Sequence, residues 1–353
     1  MATTFYSQIG ANKRNSILLV LAVVALLGVL GLAIGWAVTG DPRAAIPSLG
    51  IAITIGLVAS LVSYYSGDSI VLGISGAKEV TAEQAPQLIN VVQEMALAAN
   101  VPMPRVYLID DTAPNAFATG RDPEHASVAI TIGLLQKLDR EELQGVMAHE
   151  LSHVRNFDIR FSLLVGVLVG SIALLADFFL RFTFWGGGRR SRSSNEGGGA
   201  IQIVVFVIAI MLAILAPIMA RLVQMAISRQ REYLADASGV ELTRNPVGLE
   251  RALAKIALDK EPLEVANRAT QHLYFENPIK AADGRSSNLF STHPPAIERI
   301  NRLRELYGQP KITDAVQVLD AAAMRASAPG SAAFVGGSGG PPPPPPRDWN
   351  RPS

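Results

Sequence analysis

The chain has 353 residues, of which 49% are hydrophobic and 17% charged, and it contains no cysteine. Soluble domains usually carry about 25% charged residues, so this composition favours membrane segments over one large soluble core. A net charge of +1 excludes the strong basic field that nucleic-acid binding needs. Without cysteine, disulfide scaffolds, iron–sulfur clusters and thiolate zinc sites are excluded, so any metal needs His, Asp or Glu ligands.

Four apolar runs predict transmembrane helices, because a bilayer core is crossed by about 20 residues of helix. They are Ile17–Thr39, Ala44–Tyr65, Phe161–Phe182 and Ala200–Ala220. The first run follows Lys13 and Arg14, as a secretory signal would, but it exceeds the roughly 7–15 apolar residues of a signal. Asp177 lies within the third run, and we expect it to sit near the headgroups, where a charge is tolerated.

The basic residues that flank the apolar runs predict an orientation. If all four runs cross, one side of the membrane carries Lys13, Arg14, Arg155, Arg160, Arg221, Arg229 and Arg231, and the other carries Arg43, Arg181, Arg189, Arg190 and Arg192. The larger group favours a cytoplasmic N-terminus and a cytoplasmic middle region. The loop Gly186–Gly199 is itself basic, so the pattern leaves open whether the third and fourth runs both span.

The runs also predict the organisation of the chain. The predicted segments are 1–16 as a cytoplasmic N-terminal tail, 17–65 as a transmembrane hairpin, 66–160 and 221–325 as two parts of a polar domain, 161–220 as an apolar hairpin with a basic Gly-rich loop, and 326–353 as a Pro-rich tail. The tail cannot bury a core, and we expect it to be disordered. Its composition is compatible with a solvated tail that has no partner and with a segment that a proline-binding protein recognises.

Within the polar parts, local signals predict helices and short strands. Thr81 and Gln84 form a candidate capping box for a helix that ends near Ala99, and Asp139 with Glu142 forms another. β-Branched and aromatic residues predict strands at Arg105–Ile109, Asn115–Gly120 and Ser127–Thr131. Pro at the start and Gly308 just past the end predict a late helix over Pro295–Tyr307.

The second capped helix carries the motif His149-Glu150-Leu151-Ser152-His153. Residues four apart share one helical face, so both imidazoles can bind one metal ion. Glu150 follows His149 directly, where its carboxylate can take a proton from a water that the metal acidifies. With five histidines in the chain, a chance match to this pattern is rare, and the motif predicts a metal site rather than two core histidines.

A catalytic zinc site needs a third protein ligand, and no further histidine follows the motif closely. Glu232 and Asp236 lie four apart on a later helical segment. Spacing alone does not distinguish a ligand from a solvated acidic face, which the neighbouring Arg229 and Arg231 would also suit.

The chain resembles the HtpX-type membrane zinc metalloproteases, which are related to the membrane proteases that process prenylated proteins. The resemblance rests on the paired N-terminal spans, NAFATG, HELSH, the apolar hairpin, REYLAD and THPP, over about Phe5–Gly308. It implies a mainly helical α+β fold: an integral membrane protein with a zincin-like metalloprotease domain that carries a small β-sheet. It also implies a bacterial-type inner membrane, with the site facing the cytoplasm and misfolded or damaged membrane proteins as substrates.

Carried over residue by residue, the resemblance implies one Zn²⁺ per chain, held by His149, His153 and Glu232. Glu150 is then the general base and later the proton donor. Asp236 resembles a carboxylate that orients a ligand imidazole. His293 resembles a family histidine that steadies the oxyanion, although a plain loop histidine before a helix would look the same.

The resemblance also implies that the edge strand beside the cleft contains Asn115, Ala116, Phe117 and Ala118. An extended peptide could add to this edge through main-chain hydrogen bonds, while an ordinary core strand is the alternative. His125 and His272 have no such support, and we expect neither to bind metal. A zinc-bound scaffold without turnover and a transporter remain as competing functions, the first opposed by Glu150 and the second by the scarcity of polar residues in the spans.

Overall fold

The computed structural model describes residues 5–39, 41, 43, 46–165, 229–259, 261–263, 274–275 and 294–327. Several predictions fall outside these residues: most of the third apolar run with Asp177, the loop Gly186–Gly199, the fourth run Ala200–Ala220, His272, His293 and the Pro-rich tail. The spanning of the third and fourth runs therefore stays a prediction.

The N-terminal part is a pair of long apolar helices, α1 (Phe5–Thr39) and α2 (Ile46–Ile74). By length and composition, both are long and apolar enough to cross a membrane. They pack closely, because Gly31 on α1 leaves room for α2: a methyl group at Gly31 would meet the Cβ of Ala52 at 2.4 Å. Large apolar side chains on their outer surfaces are exposed, as lipid-facing side chains would be.

Both helices extend past the predicted spans into the polar domain. The helix α1 begins at Phe5, within the segment predicted as a tail, and α2 continues nine residues past Tyr65. The last turns of α2 bury Val71 and Leu72 against Phe117 and Leu163. A helix of 29 residues is about 43 Å long, which exceeds the roughly 30 Å bilayer core, so α2 has length enough to reach the domain.

The sheet has four described strands in the order β1-β2-β4-β3. They are β1 (Lys78–Glu79), β2 (Arg105–Ile109), β3 (Ala116–Gly120) and β4 (Ala126–Thr131). The pair β2–β4 is parallel, and the other two pairs are antiparallel. The three predicted strands are thus confirmed to within one residue, and β3 lies at the edge of the described sheet.

Alternating side chains cover both faces of this sheet. Val106, Val128 and Ile130 face the main core, which the helices over Pro86–Ala99 and Arg140–Arg155 complete. Phe117 and Ala129 face the other way, toward the end of α2. Because both faces are covered, every residue of β4 and every residue of β2 except Arg105 is buried, including the polar Ser127 and Thr131.

The rest of the described domain consists of helices. They are α3 (Pro86–Ala99), α4 (Ile132–Lys137), α5 (Arg140–Arg155), α6 (Arg229–Thr243), α7 (Pro246–Leu258), α8 (Ala296–Leu306) and α9 (Val316–Ser327). Residues 158–165 are also helical. The fold is therefore a mainly helical α+β structure with a small sheet and two candidate membrane helices, as predicted at that level.

The predicted start of α3 at Thr81 is wrong by five residues. The Gln84 side chain does accept a hydrogen bond from the Thr81 N–H at 2.9 Å, so half of the expected box forms. The intervening residues make turns instead, and the helix begins at Pro86, whose fixed φ suits the first helical position. By contrast, the box of Asp139 and Glu142 is complete at the start of α5.

The helix α5 is the centre of the domain, and α6 crosses it closely at the HELSH motif. A methyl group at Gly239 on α6 would lie 3.1 Å from the backbone N of His149. One turn earlier on α5, a methyl group at Gly145 would meet the backbone N of Leu249 on α7 at 2.8 Å. These two glycines let three helices approach one another, and the approach of α6 brings its acidic residues to the histidines of α5.

Candidate metal centre

Two imidazoles of α5 face one another at the centre of the domain. His149 and His153 are one helical turn apart, and their Nε2 atoms are 3.2 Å apart. The two rings meet nearly at right angles, with centroids 4.8 Å apart. His149 is buried and His153 is partly buried, so part of the His153 side chain is accessible to solvent.

Glu232 reaches this pair from α6. Its carboxylate oxygens lie 3.7 Å from Nε2 of His149 and 3.6 Å from Nε2 of His153. One atom from each of the three residues lies within 4.8 Å of the others. A tetrahedral zinc ion with ligands at about 2.0–2.2 Å holds its ligand atoms about 3.3–3.6 Å apart, so this donor set fits one such ion.

The outer nitrogen of each imidazole is held by a carboxylate. Nδ1 of His149 lies 2.9 Å from Oδ1 of Asp236, and Nδ1 of His153 lies 2.9 Å from Oδ2 of Asp158. Such a partner places the ring proton on Nδ1 and leaves the lone pair of Nε2 facing inward, as a metal ligand requires. The structure thus brings Asp236 to the predicted place, and it adds Asp158, which sequence reasoning missed.

Arg299 on α8 is a second residue that sequence reasoning missed. Its side chain is 0% exposed and binds Asp236 through two hydrogen bonds, from Nε at 2.9 Å and from Nη2 at 2.7 Å. Its Nη1 donates to the backbone oxygen of Phe275 at 3.1 Å. The helical periodicity of the sequence could have indicated that Arg299 is buried, because it lies on the same face of α8 as the buried Ile300 and Leu303.

The charges around the site change the proton affinities of its members. Burial lowers the pKa of His149 to about 4. Burial also disfavours the charged form of His153, but Asp158, Glu232 and Glu150 together outweigh it and raise the pKa of His153 to about 9. Burial is the largest single influence on the pKa of Asp236 and raises it, but the charge and hydrogen bonds of Arg299, together with His149, outweigh burial and lower that pKa below its usual value.

Glu150 lies between the histidine pair and the sheet. It is buried, and its carboxylate accepts a hydrogen bond from the backbone N–H of Ala118 on β3. Burial raises the pKa of Glu150 to about 7, although the neighbouring His153 acts in the opposite direction. A carboxyl group with a pKa near neutrality can both accept and return a proton at the pH of a cell.

The predicted edge strand lies beside this carboxylate, and some of its main-chain groups already have partners. The Ala116 carbonyl accepts a hydrogen bond from the Phe275 N–H at 2.7 Å. Asn115 is buried, and its N–H donates to the Thr131 hydroxyl at 2.9 Å. The Phe117 ring packs edge-on against Tyr274, with centroids 5.1 Å apart. The strand is therefore at the site, and its binding of substrate stays a prediction.

Of the other three histidines, only His125 lies in the part of the chain that the structure describes, and it does not join the cluster. His125 is exposed on a short 3₁₀ turn, where its Nδ1 contacts Asp122 at 2.5 Å. His272 and His293 lie outside the described residues, so the expectation that His272 is no ligand and the oxyanion role of His293 both stay predictions.

Comparison with known proteins identifies the family. Residues 82–307 match the model of Peptidase family M48. The protein called Protease HtpX homolog from Ligilactobacillus salivarius is 47% identical over 301 residues, covering 85% of this chain and 99% of that protein. The Protease HtpX homolog from Listeria monocytogenes is 46% identical over 306 residues, with the same coverage of both chains.

A solved structure, that of S. mikatae Ste24p, is also similar, with a TM-score of 0.42 and 20% sequence identity. The match covers 83% of this chain, and the chain spans 65% of the length of that protein. The family match and the curated relatives confirm the resemblance that the motifs indicated. The chain belongs to Peptidase family M48 and is a membrane metalloprotease of the HtpX type.

Proposed function

We propose that the chain is a zinc-dependent endopeptidase that cuts membrane proteins as part of protein quality control. The observation that carries the proposal is the arrangement of His149, His153 and Glu232, with Glu150 beside them. A catalytic zinc site with an open fourth position uses three protein ligands, and two imidazole nitrogens with one carboxylate are such a set. The second nitrogen of each imidazole is held by a further carboxylate, as is usual for histidines that bind metal. A zinc ion there would supply Lewis acidity, which activates water and polarises a carbonyl.

Residues of this chain would carry out the proton transfers and bind the substrate. Glu150 takes the proton of the attacking water and returns it to the leaving amine, and its burial, which raises the pKa of the carboxyl group, favours the protonated form that this return needs. The Ala118 N–H holds the Glu150 carboxylate at the edge of β3. Asn115–Ala118 would bind the substrate backbone as an added strand, and His293 would steady the oxyanion.

The contacts between the helical pair and the domain support a site that faces the cytoplasm from an inner membrane. Lys13 lies over the Phe157 ring at 4.2 Å, and Arg160 lies over Tyr64 at 5.6 Å. Arg121 lies over Tyr65 at 5.4 Å. Tyrosines mark the headgroup level and positive charges favour the cytoplasmic side, so a belt of both at the domain end of α2 suits this orientation.

The position of these contacts near the apolar runs also supports the proposal that the substrates are membrane proteins. Asn12, which contacts the loop after α5, lies five residues before the apolar run at Ile17, roughly 7 Å along a helix. A site at that height would meet loops and ends of membrane proteins as they leave the bilayer. Damaged proteins expose such segments in extended form, which strand addition requires.

A gel assay tests the proposed activity. Protein purified in detergent with a chelator should not degrade an unstructured protein, and addition of zinc in excess over the chelator should restore degradation. The reason is that the ligand set described above would be the source of the Lewis acid. Equal degradation with and without free zinc would contradict the zinc-dependent mechanism.

The ligand set is tested separately by Glu232→Ala. We expect wild-type protein to bind one zinc ion, and the variant to bind it more than about a hundredfold more weakly, since even partners of ligands contribute about 10–100-fold. Competition with a chromophoric chelator measures the dissociation constant. Glu241→Ala is the matched control, because Glu241 lies on the same helix and is exposed. Equal affinities for both variants would remove Glu232 from the ligand set.

A further inference from the structure

Asn12 is a buried polar residue that the proposed mechanism does not use. It lies on α1 before the apolar run, and it is 3% exposed. Its amide nitrogen donates to the backbone oxygen of Asn156 at 2.9 Å and to Oδ1 of Asp158 at 2.6 Å. Its amide oxygen accepts from Nη1 of Arg231 at 3.3 Å. A membrane helix thus places one amide among groups that come from the turn after α5, from the start of the helical residues 158–165 and from α6.

These partners are the neighbours of the proposed zinc ligands. Asp158 uses its other oxygen, Oδ2, to hold Nδ1 of His153 at 2.9 Å. Arg231 immediately precedes Glu232 on α6. Asn12 is therefore one hydrogen bond away from the carboxylate that orients one ligand, and it contacts the residue next to another.

The chemistry of the position suits an amide in particular. The NH₂ group faces two acceptors, a carbonyl and a carboxylate, while the amide oxygen faces a guanidinium donor. An aspartate would offer acceptors only and would repel Asp158. An apolar residue would leave these buried groups with fewer partners, which costs free energy for each group. With both Asp158 oxygens engaged, its carboxylate has one favoured orientation toward His153.

We propose that Asn12 is a positioning residue for the metal site, through which the first membrane helix orients His153 by way of Asp158. The inference rests on the proposed ligand set and goes beyond it. In this arrangement a residue of α1 contributes to the affinity of the site for its metal ion. A change in α1, far from the motif in sequence, alters zinc binding at α5.

The test is the zinc affinity of Asn12→Ala, measured by chelator competition in detergent. We expect affinity to fall about 10–100-fold, the usual effect of losing a group that orients a ligand. Asn12→Asp is the second variant, because it keeps the size of the side chain and an acceptor for Arg231, and it should weaken zinc binding as well. Asn15→Ala is the matched control on the same helix, where the side chain is only partly buried, and it should bind zinc as the wild type does.

A double-mutant cycle separates positioning from general loss of stability. In an Asp158→Ala background, the path from Asn12 to His153 is broken, so Asn12→Ala should cause little further loss of zinc affinity. The same additional loss in both backgrounds would overturn the proposal, as would wild-type affinity in Asn12→Ala and Asn12→Asp. If the wild type bound no zinc, the proposed function would fail too; if it bound zinc tightly and only the Asn12 effects were absent, this inference alone would fail.

Discussion

Glu150→Gln should abolish peptide-bond hydrolysis while zinc stays bound. The substitution keeps the size of the side chain and can keep the contact with the Ala118 N–H, but an amide cannot accept the proton of the attacking water. Loss of a general base costs about 10²–10⁴-fold in rate, so degradation of an unstructured protein should fall below detection on a gel. Metal content, measured by elemental analysis, should match that of the wild type.

Glu141→Gln is the control for this variant, because Glu141 lies on the same helix with an exposed side chain. It should cut as the wild type does. Loss of cutting in Glu150→Gln but not in Glu141→Gln would also exclude a zinc-bound scaffold without turnover, which is the main alternative function. A scaffold has no need of a general base. Equal cutting by Glu150→Gln and the wild type would remove Glu150 from the proposed role.

Arg299→Ala should produce the largest loss of stability among single substitutions near the site. The guanidinium is fully buried and makes two hydrogen bonds to Asp236. Its removal leaves the buried Asp236 carboxylate without its main counter-charge, which typically costs about 3–5 kcal/mol. Unfolding of the metal-free protein by denaturant, followed in detergent, measures the change. Zinc affinity should fall too, because Asp236 holds the Nδ1 atom of His149.

The matched control is Arg302→Ala on the same helix. Arg302 is exposed and lies over the Tyr233 ring at 4.3 Å, an interaction that contributes about 0.5–1 kcal/mol. Arg299→Lys should recover only part of the stability, because an ammonium group cannot make the two parallel bonds of a guanidinium. Equal losses in Arg299→Ala and Arg302→Ala would show that Asp236 does not depend on Arg299.

Local patterns in the sequence predicted the parts of the site that local rules govern. The spacing of His149 and His153 needs only a helix, and the capping box of Asp139 and Glu142 needs only four residues. The strands over Arg105–Ile109 and around Ser127–Thr131 carry enough β-branched and apolar residues to be recognised alone. For Glu232 the spacing left a solvated acidic face open, and only the family resemblance favoured a ligand.

The supporting residues could not be predicted, because their partners come from distant parts of the chain. Asn12 meets Asp158 across 146 positions, and Arg299 meets Asp236 across 63. A polar residue near an apolar run, or an arginine on a helix stripe, has many ordinary explanations until the packing is known. The wrong start of α3 has a different cause: a real interaction between Thr81 and Gln84 forms in a turn, and Pro86 decides where the helix begins.

The hydrogen bond between Phe275 and Ala116 has a consequence for substrate selection. A peptide that added to β3 at this point would have to displace the Phe275 N–H from the Ala116 carbonyl. One hydrogen bond would then replace another of the same kind, so this position would contribute almost nothing to affinity. A bound peptide would therefore gain its affinity from contacts beyond Ala116. Long extended segments, which can make such contacts, would bind more tightly than short ones.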